Sequence, residues 1–103
     1  MEYDDNMYKS LIKKFEDFAL SGNLDNATEV MSLAQNLAKK GEVTPSLKEE
    51  VDSQCYFDLM GNYKRISFQG NNPLARKVLS AVDVLTSKGG SISDDAYYAG
   101  AVI

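Results

Sequence analysis

The sequence predicts an all-α protein, built as an up-and-down bundle of four to five helices or a short solenoid. Two similar αα-hairpins and a C-terminal helix make up this prediction. Over most of the chain, apolar residues recur every three or four positions, which is the pattern of helices with one buried face. Gly, Asn and Pro lie between these stretches, where helices end and begin. The chain also matches itself at an interval of about 48 residues, which indicates an internal repeat.

The first hairpin is predicted over residues 4–40. Its two helices, at about 4–20 and 24–40, are followed by Gly22 and Gly41, and glycine is the preferred residue just beyond a helix end. Acids precede the first helix and lysines end the second, as the helix dipole favours. Because the link between the helices is short, we expect them to pack antiparallel.

The second hairpin is predicted over residues 45–88. Thr44 is the expected N-cap of its first helix, since proline follows in the first turn, where a missing N–H costs nothing. Residues 63–68 also fit a short strand by their β-propensity. Asn72 is the expected N-cap of the second helix, because Pro73 follows it.

Shifting the chain by 48 residues without gaps resolves the ambiguity at 63–68. The matched positions are those of the apolar faces, the turns and the helix ends. Examples are Tyr8 with Tyr56, Gly22 with Gly70, Val30 with Val78, and Leu37 with Leu85. We therefore interpret residues 1–103 as a single domain with an internal duplication, and residues 63–68 as helix.

The turn and second helix of each hairpin resemble those of tetratricopeptide and pentatricopeptide repeats. Both GNLDNATEVMSLA and GNNPLARKVLSAV place a glycine in the turn, a small alanine five positions later, and apolar residues four and seven beyond it. The matching residues are Gly22, Ala27, Met31 and Ala34, and Gly70, Ala75, Leu79 and Val82. The resemblance implies a scaffold that binds peptides or single-stranded RNA. The interval departs from these families, which repeat at roughly 34 residues.

Composition argues against an enzyme. The chain has no histidine, the commonest general base and a common metal ligand. Its one cysteine, Cys55, lies on an apolar helix face, where we expect a buried and unreactive thiol. The acid pairs Glu49-Glu50 and Asp94-Asp95 are expected at helix starts, where they offset the dipole. The sequence therefore predicts no catalytic residue, no metal and no cofactor.

A cytoplasmic protein is predicted. A single cysteine cannot form an intramolecular disulfide, which fits a reducing compartment. The N-terminal residues lack the basic and apolar regions of a signal peptide, and no apolar stretch is long enough to span a membrane. We therefore expect neither export nor membrane insertion.

The segment 93–103 corresponds to the start of a third hairpin that lacks its second helix. It either packs on its own second hairpin or is completed by another subunit. This segment predicts a non-enzymatic interaction module: an adaptor, an assembly factor, or a small homodimeric regulator or inhibitor. The candidate interface residues are Ala96, Tyr97, Tyr98, Gly100, Val102 and Ile103.

A nucleic-acid or anion-binding module is the alternative function. Residues 59–82 contain basic and aromatic side chains and no acid. The formal net charge of −4 argues against a dedicated nucleic-acid protein. Eleven acids and six lysines lie in residues 1–52, whereas residues 53–103 hold four acids and five bases. The candidate patch is Tyr63, Lys64, Arg65, Phe68, Arg76 and Lys77.

Overall fold

The structure, a computed structural model, describes residues 3–102 and confirms the all-α prediction. The described part holds five helices: α1 (Asp5–Leu20), α2 (Leu24–Lys39), α3 (Pro45–Phe68), α4 (Asn72–Ser87) and α5 (Asp94–Val102). The pairs α1/α2 and α3/α4 form hairpins, and α3 also packs on α1 and α5 while α2 packs on α4. Helices α1, α3 and α5 therefore form one layer, and α2 and α4 form the other.

The two hairpins have the same turn. Gly22 and Gly70 both have positive φ, at 79° and 86°. In each turn the backbone N–H of the following asparagine donates to a carbonyl five residues back, as in the Schellman motif. The side chains of Asn23 and Asn71 then cap the next helix. The predicted cap at Asn72 is therefore wrong by one residue, because Asn71 both closes the Schellman turn and caps α4.

The start of α3 serves to join the two hairpins. Thr44 occupies the N-cap position, but its hydroxyl makes no bond to the helix that follows. Its backbone N–H and its hydroxyl instead donate to the two carboxylate oxygens of Asp5 in α1, at 2.9 and 2.8 Å. Glu49 and Glu50 lie beyond the first turn of α3, which contains no acid, so their expected position at a helix start is wrong.

Helix α3 is central because it contacts α1, α4 and α5. Its predicted apolar face is buried at Cys55, Leu59 and Ile66, and the buried set extends to Asp52 and Tyr56 outside that face. Burial raises the pKa of the Cys55 thiol, which keeps it protonated at neutral pH. Within residues 3–102, no helix has the length and apolar character needed to cross a membrane.

Helix boundaries recur at the interval of the sequence repeat. Helix α4 begins and ends 48 residues after α2, and α3 ends 48 residues after α1. Helix α3 has 24 residues and α1 has 16, so residues 45–52 are an N-terminal extension without a counterpart in α1. Residues 46–54 of this part of α3 correspond, at the same interval, to α5. The duplication itself stays an interpretation of this periodicity.

Candidate protein interface

A buried carboxylate of α3, Asp52, holds the linker that leads into α5. Its Oδ2 accepts from the Ser91 backbone N–H and from the Lys48 ammonium, each at 2.8 Å. The same ammonium donates to the Gly89 carbonyl at 2.7 Å and to the Ser91 hydroxyl at 2.9 Å. The linker is therefore fixed to α3 before α5 begins.

The other oxygen of Asp52 extends this network to the first hairpin. Oδ1 accepts from the Tyr8 hydroxyl at 2.5 Å, and the Gln35 amide donates to the Tyr8 oxygen at 3.2 Å. Burial and the carboxylate both raise the pKa of Tyr8, so its hydroxyl keeps the proton that it donates. In the described part of the chain, every buried side-chain nitrogen and oxygen has a hydrogen-bond partner.

The sequence analysis missed this network. One signal was present, since Lys48 and Asp52 lie four residues apart, the spacing of an ion pair along a helix. Exposed pairs have the same spacing, however, so the spacing does not indicate burial. The partners from α1, α2 and the linker are distant in sequence.

Helix α5 packs on α3 of its own chain. The Ser93 hydroxyl accepts from the Ala96 backbone N–H at 3.2 Å, which caps the helix as predicted. Gly100 is buried, and a Cβ there would lie 2.6 Å from the Tyr56 ring. The Tyr97 ring stacks on Tyr56, with centroids 5.2 Å apart and planes 11° apart. The contact therefore needs a residue without a side chain at position 100.

The candidate interface residues of α5 divide between its two sides. Ala96 is half-buried and Gly100 is buried, so these small residues serve the contact with α3. Tyr97 and Tyr98 expose more than half of their side chains. Val102 ends α5, and Ile103 lies outside the described residues. An interface through the exposed tyrosines stays a prediction.

An open groove of about 370 Å³ lies along α3, α4 and α5. Its polar members are Asp83 and Thr86, and the others are mostly apolar. They are Tyr56, Met60, Leu79, Val82, Tyr97 and Ala101. Leu79 is 37% exposed here.

The equivalent positions in the first hairpin are covered. Met31, 48 residues before Leu79, is fully buried. The first hairpin is followed by α3 and α4, which pack on it, whereas the second is followed only by α5. Tyr8, Ile12, Ala34 and Gln35, which correspond to Tyr56, Met60, Val82 and Asp83 of the groove, are buried too. The groove therefore lies where the second helix of a further hairpin would pack.

The residues of the candidate basic patch lie near the turn of the second hairpin. Phe68, at the end of α3, is 96% exposed. Arg65 is exposed and donates to the Asn62 side-chain oxygen at 2.6 Å, while Arg76 and Lys77 are exposed on α4. Tyr63 and Lys64 are half-buried. Anion binding by this patch stays a prediction.

A second opening, of about 500 Å³, lies between α3 and the first turn of α5. Its lining includes Glu49, Glu50 and Phe57. Among residues 3–102, no three cysteine or acidic side chains are grouped so that they could hold a metal ion. Its acids are carried by α3 alone.

Comparison with known proteins adds no relative to this description. No family model, no curated protein and no solved structure matches the chain. The resemblance to tetratricopeptide and pentatricopeptide repeats therefore depends on the short pattern in the two hairpins alone.

Proposed function

We propose that this chain is a protein–protein interaction module, without catalytic activity, whose C-terminal end binds an amphipathic helix of its partner. One observation carries the proposal: Leu79 and its groove are open, whereas the equivalent Met31 and its neighbours are buried. Apolar positions that are covered in one hairpin and open in the next mark a surface that gains free energy from a further helix.

The helix that fits the groove is described by α4, because α4 packs on α2 and α3 as the partner helix would pack on α4 and α5. Helix α4 buries small and branched residues along one face: Ala75, Val78, Ala81, Val82 and Leu85. Each Val or Leu buried in such a contact contributes ~1.5–3 kcal/mol. The module can therefore act as an adaptor, an assembly factor or an inhibitor, according to the protein that carries the helix.

A reducing, cytoplasmic setting suits this module. The chain has one cysteine, and its buried thiol has no partner cysteine in the sequence with which to form a disulfide. The contact proposed here likewise depends on apolar packing and not on a covalent link.

A peptide with the sequence of residues 71–88, stapled to hold it as a helix, is the direct probe of the groove. We expect it to bind the intact protein in a fluorescence-anisotropy titration. Leu79→Glu is expected to weaken binding at least ~10-fold, because a buried unpaired carboxylate costs more than the ~1.4 kcal/mol that a tenfold change requires.

Leu33→Glu is the matched control, since Leu33 is also an exposed leucine, on α2. This variant should bind the peptide as the parent protein does. The proposed function is wrong if the parent protein does not bind the peptide, or if Leu79→Glu and Leu33→Glu bind it equally well.

A second candidate function, anion or single-stranded nucleic-acid binding, is favoured by the exposure of Phe68 next to cationic side chains. A fluorescent oligonucleotide should then bind at low ionic strength and dissociate as salt is added. Phe68→Ser together with Arg65→Ser should abolish binding. A parent protein that retards no oligonucleotide at low salt would exclude this function.

A further inference from the structure

The N-terminal end of the bundle exposes the counterpart of a face that the second hairpin buries. Met7 on α1 is 53% exposed, and its equivalent on α3, Cys55, is buried. Leu33 on α2 is 55% exposed, and its equivalent on α4, Ala81, is buried. The second hairpin packs on the first through α1/α3, α2/α4 and α1/α4 contacts. The first hairpin therefore shows solvent the kind of face with which the second hairpin docks.

Less exposed positions agree with this comparison. Leu11, Val30 and Leu37 of the first hairpin are only partly buried. Their equivalents Leu59, Val78 and Leu85 are fully buried. The difference has one direction at all of these positions: the residue is more open in the first hairpin, which has no hairpin before it. In repeat proteins, end faces are normally closed by polar capping units, and the positions compared here are apolar at both ends.

Helix α5 identifies which partner the C-terminal end fits. At the 48-residue interval, α5 corresponds to residues 46–54, and α1 corresponds to residues 53–68. Helix α5 of one chain followed by α1 of a second copy therefore reproduces the length and the two halves of α3. The α2 of that second copy would then lie in the groove between α4 and α5, as α4 lies beside α2.

The contact on α3 also repeats at this interval. Gly100 covers Tyr56 in α3, and Asp52, 48 residues earlier, contacts Tyr8 in α1. Helix α5 therefore lies on the second hairpin as residues 46–54 lie on the first. Charge is compatible with a second copy at this site, because residues 1–52 carry a formal charge of −5 and residues 53–103 a charge of +1.

We propose that the C-terminal end of one chain binds the first hairpin of a second copy, head to tail, with α2 of that copy in the groove that contains Leu79. This proposal depends on the proposed function and names its partner as the same protein. The two surfaces in the contact differ, so a pair of chains still has one free end of each kind. Association therefore continues into open chains or closes into rings.

Complementation between two blocked variants tests this arrangement. Sedimentation velocity of the parent protein, up to about 1 mM, should show a mass that rises with concentration beyond the dimer. Leu33→Glu blocks the first hairpin, Leu79→Glu blocks the groove, and each variant alone should remain a monomer. Mixed together they should form a one-to-one pair and nothing larger, because the mixture retains one good surface of each kind.

Phe68→Glu is the matched control, since it introduces the same charge at an exposed apolar residue outside both surfaces, and it should associate as the parent does. Circular dichroism must show that each variant is folded. A parent protein that stays monomeric overturns the head-to-tail contact, and the proposed function survives if the stapled peptide still binds. A dimer that neither variant weakens, or blocked variants that do not pair when mixed, overturns it as well.

Discussion

Asp52→Ala is expected to remove most of the stability of the fold. The substitution leaves the Tyr8 hydroxyl, the Lys48 ammonium and the Ser91 N–H without their carboxylate acceptor in a buried site. Removing one partner of a buried ion pair costs about 3–5 kcal/mol. Domains of this size are stable by only ~5–15 kcal/mol, so urea denaturation should show a large fall in the midpoint, or an unfolded protein.

Two variants isolate the cause of this loss. Asp83→Ala removes a carboxylate that is exposed on α4 and should change the free energy of unfolding by less than ~0.5 kcal/mol. Tyr8→Phe removes one hydroxyl and leaves the pair of Lys48 and Asp52, so it should cost ~1 kcal/mol. The central role of Asp52 is contradicted if its replacement by alanine costs no more than Tyr8→Phe.

Gly100→Leu is expected to detach α5 from the bundle. A Cβ at this position would already lie 2.6 Å from the Tyr56 ring, and α3 is held by its contacts with α1 and α4. The smaller unit must therefore move. In hydrogen exchange, residues 94–102 should lose their protection almost completely, while α1 to α4 keep theirs.

Ala101→Leu is the control for this effect, because it lengthens an exposed side chain on the same helix. Protection of residues 94–102 should persist in that variant. If Gly100→Leu leaves the exchange of this segment unchanged, then α5 does not depend on the close contact with Tyr56.

The helix boundaries were predictable because their signals are local. Gly22 and Gly70 end helices through their own backbone conformation, and Asn23 caps the next helix from one residue away. The 48-residue match then identified residues 63–68 as helix, which their β-propensity alone did not. The error at Asn72 has a local cause too, since two adjacent asparagines both have the chemistry of a cap.

The buried polar network was not predictable in the same way. Tyr8, Gln35, Asp52 and Ser91 belong to four different elements, and their meeting depends on how the hairpins stack. The position of α5 was predicted only as one of two alternatives. Small residues at 96 and 100 indicate a close neighbour, but their sequence does not say which helix it is. In the structure that neighbour is α3 of the same chain.

The two tyrosine contacts of the bundle differ in how they set alignment. Between the hairpins, Tyr8 meets Asp52 through directional hydrogen bonds that also involve Lys48, and a slip along the helix would leave a buried charge unpaired. At the C-terminal end, Tyr56 meets Gly100, which has no polar side chain. A helix that arrives beside α5 must bring its own polar groups to define its position, so discrimination among partners at this end belongs to the incoming helix.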